Sequence, residues 1–171
     1  MKLDKFKDAI LPLKDKLFRL AFSITGNKED AEDVVQDTML HVWKKRGEWH
    51  TIKNLEGYCM RSVRNIALDK ISLKDNNMTV LPDHYEVADI AGITEQLEKT
   101  EQLNIIHKLI DRLPEKQRTI VRLRDVEGLS YKEIAEIMEV KEEQVKITLF
   151  RTRQKLKEHF RLINNYGIKR N

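Results

Sequence analysis

A chain of 171 residues with 40% apolar side chains has room for one domain or two small ones and is too apolar to be disordered. Its single cysteine, Cys59, excludes an intramolecular disulfide and a cysteine-cluster metal site, and no stretch approaches the roughly 18 consecutive apolar residues of a membrane span. The net charge of +4 is mild but uneven: residues 72–95 hold one lysine against five acids, whereas 144–171 hold eight basic residues and one acid, Glu158. So basic an end suits a polyanion, with a solvated basic helix as the plain alternative.

In chain order, Phe6, Ile10, Leu13, Leu17, Leu20 and Ile24 recur at helical spacing and predict an amphipathic helix over 4–24, kinked or split by Pro12. The alternation of charged and apolar residues there does not resemble a signal peptide, so a reducing, cytoplasmic setting is expected. Thr25-Gly26-Asn27 breaks the pattern. A second helix is predicted from about Lys28 to Lys45, with Glu29, Asp30, Glu32 and Asp33 in its first turns, where the helix dipole favours acids. Ala31, Val34, Val35, Thr38, Met39 and Val42 give it an apolar face, and Asp33, Gln36, Asp37 and Leu40 lie within reach of a partner.

Residues 46–54 are polar and irregular around Gly47 and an isolated Trp49. Trp43, near a helix end, reads as core. A third helix is predicted over Leu55–Leu73, with Tyr58, Val63, Ile66, Ala67 and Ile71 inward and Arg61, Arg64, Asn65, Asp69 and Lys70 outward or at its edge. Periodicity fades after Ser72, and residues 74–93 read as a flexible linker. Helix resumes near Thr94 and runs to Asp111; Pro114 suits the first turn of the next helix, which stops at Gly128.

Ser130 and Glu133 form an S-x-x-E capping box, so a helix should begin at Tyr131 and bury Ile134, Ala135 and Met138. After a short turn, a further helix starts near Glu142 and packs Val145, Leu149, Thr152 and Leu156 inward. The pair reads as a helix-turn-helix whose second, basic helix can enter a major groove; a helical hairpin with a basic surface is the plain reading. The fold class is therefore all-α: two small helical domains, 1–73 and 94–171, joined by a flexible linker, the second a helix-turn-helix.

The segments FRLAFSITGNKEDAEDVVQDTMLHVWKKRGEW and NLEGYCMRSVRNIALDKI resemble region 2 of the extracytoplasmic-function sigma factors of bacterial RNA polymerase, a group of the sigma-70 family. LPEKQRTIVRLRDVEGLSYKEIAEIMEVKEEQVKITLFRTRQKL resembles their region 4. The resemblance implies a factor that binds core polymerase, directs it to promoters and helps open the −10 region. It places Asp33, Gln36, Asp37 and Leu40 against the clamp helices of the largest subunit. It assigns the −10 element, with a base flipped from the non-template strand, to Trp49, His50, Lys53 and Asn54, and strand holding to Arg61, Arg64, Asn65 and Lys70. It assigns the −35 duplex to Gln144, Lys146, Ile147, Phe150 and Arg151, with Arg122, Arg124 and Lys132 as phosphate contacts, and a polymerase flap contact to the helices near Leu113–Val126. It also permits an anti-sigma partner.

The chain departs from the family in the helix-turn-helix. Glu139 stands where the family commonly has glycine in the turn, and Lys141 where it has a capping serine. Ile147 and Thr148 replace a serine and an arginine, which removes one expected DNA contact at Thr148 and lets Ile147 touch a thymine methyl. The five histidines show no ligand spacing, and helix-start electrostatics accounts for the acidic pairs, so no metal, cofactor or catalysis is expected. Two rival readings are a homodimeric helix-turn-helix regulator that is not a polymerase subunit, and an interaction module that keeps the fold but has lost promoter recognition.

Overall fold

The computed structural model describes residues 1–75 and 99–169, and among these every regular element is helical. The chain divides into two compact units, Met1–Thr79 with Lys132–Val140, and Val80–Tyr131 with Lys141–Asn171.

The amino-terminal residues are helical but change pitch. An α-turn (Lys2–Lys5), a π-turn (Phe6–Ile10) and a 3-10 turn (Leu11–Leu13) lead into α1, Lys14–Thr25. The change falls at Pro12, which lacks an N–H and crowds the carbonyl four residues back. The predicted helix is thus split, yet Ile10, Leu17, Leu20 and Ile24 all reach the core. Gly26 ends α1 in the left-handed region at φ 67°, its N–H donating to Phe22 O at 2.8 Å. Asn27 then starts α2, Lys28–Lys44: its Oδ1 accepts from the N–H groups of Glu29 at 2.9 Å and Asp30 at 3.2 Å.

The predicted apolar face of α2 is buried at Ala31, Val34, Val35, Thr38 and Val42, and half-buried at Met39. Thr38 returns its hydroxyl to Val34 O at 2.7 Å, which makes it acceptable in the core. Helix α3, Leu55–Asp75, buries Cys59, Met60, Val63 and Ala67, and α1, α2 and α3 pack on one another pairwise. Tyr58, Ile66 and Ile71, expected inside, are only half-buried. Burial, and secondarily Glu56, pushes the Cys59 thiol up to about 12, so it stays neutral and serves as packing.

In the carboxy-terminal part, α4 spans Lys99–Asp111, α5 spans Glu115–Val121 and runs on through a π-turn at Arg122–Val126, α6 spans Tyr131–Met138 and α7 spans Glu142–Lys169. Pro114 sits one step earlier than predicted, as the residue before α5. Gly128, at φ 72°, turns the chain so that Leu129 N–H reaches Leu123 O at 3.0 Å. Helices α4, α5 and α7 pack together, with Ile105, Leu109 and Ile163 at a core that Leu156 and Phe160 cover.

The linker expected at 74–93 and the helix start expected at Thr94 lie outside the described residues, except that Lys74 and Asp75 complete α3. The division into units departs from the expected 1–73 and 94–171 in grouping Lys132–Val140 with the amino-terminal unit.

Candidate nucleic-acid interface

On α2, Asp33, Gln36, Asp37 and Leu40 are all exposed, as their spacing requires, and Leu40 is 52% exposed, unusual for leucine. They are not equivalent. Lys70, from α3, lies 3.2 Å from Asp33 and 3.9 Å from Asp30, and Lys74 also pairs with Asp30. Asp37 has no partner among the described residues. The free charge of this strip therefore sits at Asp37 beside Leu40, while Lys70, expected on DNA, faces acids instead.

The loop after α2 corrects the sequence expectation most sharply. Trp49 is 3% exposed. Its indole N–H donates to Val42 O at 3.0 Å, its ring stacks 6.3 Å from Phe6 at 12°, and Trp43 meets it edge-on at 6.2 Å. Such a ring offers no face to an unstacked base; it closes the core, where truncation to alanine costs about 3–5 kcal/mol. Trp43, expected as core, is half-buried, with the Arg46 guanidinium 4.7 Å over its outer face. His50 and Lys53 do reach solvent. Asn54 is engaged elsewhere: its Oδ1 accepts the Gly57 N–H at 3.0 Å and caps α3.

Further along α3, Asn65 is exposed and Arg61 and Arg64 are half-buried. The Arg61 guanidinium stands 5.9 Å from the Tyr58 ring, and the Tyr58 hydroxyl is 3.2 Å from His41 Nε2, the two rings stacked at 6.3 Å. His41, Tyr58 and Arg61 thus form a surface array that the sequence reading did not find. Tyr58 and His41 lie on different helices, and no local periodicity links them.

The carboxy-terminal set also divides. Arg122 is half-buried and pairs with Asp111. Arg124 donates to Leu129 O at 2.8 Å and lies 4.3 Å over the Tyr131 ring, so it holds the turn before α6 and is not free for phosphate. Arg153 is gripped by both Asp125 oxygens. Lys132 is exposed.

At the start of α7, Lys141 supplies no cap, but its own N–H donates to Gln144 Oε1 at 3.2 Å. That is the second half of a capping box, in which the third helical residue reaches back; it commits Gln144 to the helix start. Val145, Leu149 and Thr152 are buried as predicted, and Lys146, Ile147, Phe150 and Arg151 are exposed. Lys146 lies 3.8 Å from Glu142 and 5.5 Å from the Tyr131 ring centre. Arg151 has no partner among the described residues.

Comparison with known proteins then speaks to ancestry. Residues 10–76 match sigma-70 region 2, and residues 103–156 match sigma-70, region 4. The chain is 28% identical to the ECF RNA polymerase sigma factor SigW of Bacillus subtilis, over 92% of this chain and 90% of that one. It is 30% identical to the ECF RNA polymerase sigma factor SigM of Mycobacterium tuberculosis, over 82% of this chain and 69% of that one. Its fold is like that of the sigma factor RpoE crystallised with the anti-sigma factor NepR from Bartonella quintana, with a TM-score of 0.69 and 22% identity over 91% of this chain and 96% of that one.

Proposed function

Because the chain belongs to the extracytoplasmic-function group of the sigma-70 family, we infer that its two matched regions divide promoter recognition between them. The protein is an initiation factor: it binds core RNA polymerase and directs it to promoter DNA. In our reading, Asp37 and Leu40 dock on the clamp helices of the largest subunit, with Gln36 beside them. His50, Lys53 and the Arg61–Asn65 stretch hold single-stranded −10 DNA. Lys146, Ile147, Phe150 and Arg151 enter the −35 duplex, and Lys132 adds a phosphate contact. Joining two modest DNA surfaces in one chain raises the effective concentration of each for its element. No residue here is assigned a catalytic role; the chemistry belongs to the polymerase, in the cytoplasm.

The observation that carries this reading is the pairing, in one chain, of an unpaired acid beside an exposed leucine on α2 with a basic, partly apolar outer line on α7. An anti-sigma partner would cover such surfaces, and the RpoE relative was crystallised with one.

The test compares two variants in the reconstituted holoenzyme. Asp37→Arg is expected to weaken capture of core polymerase by about ten-fold or more, since it reverses the one charge of the docking strip that is unpaired among the described residues. At saturating polymerase it should leave the choice of start site unchanged. Arg151→Ala should do the reverse, holding polymerase normally while footprints over the upstream element fade. Equal loss of both properties in both variants would refute the division of labour. A homodimeric regulator would not co-purify with core polymerase at all.

A further inference from the structure

Resting on the upstream-element reading above, we propose that this chain selects its duplex chiefly through thymine methyl groups, received by Ile147 with Phe150 beside it. Val145, Leu149 and Thr152 form the buried seam of α7. At about 100° per residue, Ile147 lies on the line opposite that seam, with Phe150 and Gln154 next to it. That line should be the most polar of an amphipathic helix. Instead Ile147 is 50% exposed and Phe150 66% exposed. Apolar area held in water is recovered only by an apolar partner, at about 25 cal/mol per Å².

The flanks say which partner. Lys146 and Arg151 border the pair; Glu143 stands exposed one turn before Ile147, and from 144 to 171 eight basic residues face one acid, Glu158. A polyanion with an apolar feature between its charged rows fits this arrangement. In the major groove, the thymine C5-methyl is that feature, set between two phosphate backbones.

The polar reading capacity of the same helix is already reduced. Gln144 Oε1 accepts from Lys141 N–H, Arg153 is held by Asp125, and Lys146 is drawn toward Glu142 and the Tyr131 ring. Thr148 is half-buried. Arg151 remains for one phosphate or one guanine edge. Hydrogen-bond readout is therefore narrow, and methyl contact supplies the larger share of discrimination. An apolar protein helix would also cover the pair, but the basic residues that border it and predominate along the rest of α7 favour phosphate-lined DNA.

The experiment uses holoenzyme assembled from the full chain and core polymerase. A library of random duplexes is selected for binding, and the enriched duplex is then remade with deoxyuridine in place of thymidine, one position at a time. Each replacement deletes one methyl group and nothing else. At one or two positions binding should weaken about four-fold, the scale of a single buried methyl at roughly 0.8 kcal/mol. Ile147→Ser, a change on an exposed line that leaves the seam intact, should bind thymine and uracil duplexes equally. If wild-type holoenzyme keeps its sequence preference but ignores every methyl, the inference is overturned, the upstream reading stands, and the apolar pair falls to a protein partner. If Ile147→Ser keeps full methyl sensitivity, the inference is likewise overturned. If no sequence is enriched, the upstream-element reading fails and the inference fails with it.

Discussion

The chain meets the same local problem twice and solves it differently. Between α1 and α2, the left-handed position is taken by Gly26 at φ 67°, and the next residue, Asn27, satisfies two amides of the new helix. Between α6 and α7, the left-handed position is taken by Glu139 at φ 56°, and Lys141 caps nothing. The second turn is rescued partly by Gln144 reaching back to the Lys141 N–H, and by the Val140 N–H bonding Ala135 O at 3.1 Å. Glycine has no Cβ to crowd the following carbonyl, whereas glutamate does, at about 1–2 kcal/mol. The lesson is positional. The turn that leads into α2 is built from residues that suit it, and the turn that leads into α7 is not.

Three substitutions would break or sharpen that contrast. Asn27→Ala should have the largest effect, a loss of about 1–2 kcal/mol, because two amides lose their acceptor at once. Amide hydrogen exchange over the first turn of α2 should accelerate five- to thirty-fold, about what that free energy implies. Lys141→Ser should act in the opposite direction, stabilising the start of α7 by about 1 kcal/mol and slowing exchange there. A neutral result would mean that Gln144 already supplies all the cap this helix uses. Glu139→Gly should give the smallest gain, about 0.5 kcal/mol, since relief at positive φ is offset by the larger freedom of glycine in the unfolded chain. If Glu139→Gly destabilises instead, the glutamate makes a contact that outweighs its backbone cost.

Most helices were legible because their starts carry local chemistry. Four acids in its first turns mark α2, and Ser130 with Glu133 marks α6, whose first residue is Tyr131 as the capping box implies. The buried faces of α2 and of early α7 followed directly from helical spacing. The site was less legible, for two different reasons. Asn54 and Gln144 were readable as helix-start residues, since each lies three positions from the group it serves; their functional assignment passed over a local signal. Trp49 was not readable. A tryptophan in a polar loop looks like a ligand contact until tertiary packing brings Phe6 and the Val42 carbonyl to it. The ion pairs that engage Lys70, Arg122 and Arg153 also join residues from different elements, and composition showed only that charges were plentiful.

The burial of Trp49 beside half-buried Trp43 has an optical consequence. These are the two tryptophans of the chain, and both sit at the end of the amino-terminal core. Excitation at the red edge of protein absorbance therefore illuminates one region of the molecule and leaves the recognition helix dark. Trp49 supplies the shielded, blue-shifted component. Trp43, half-buried with the Arg46 guanidinium over its ring, supplies the component that quenchers can reach. The unlabelled protein thus carries a fluorescence reporter of the loop that follows α2.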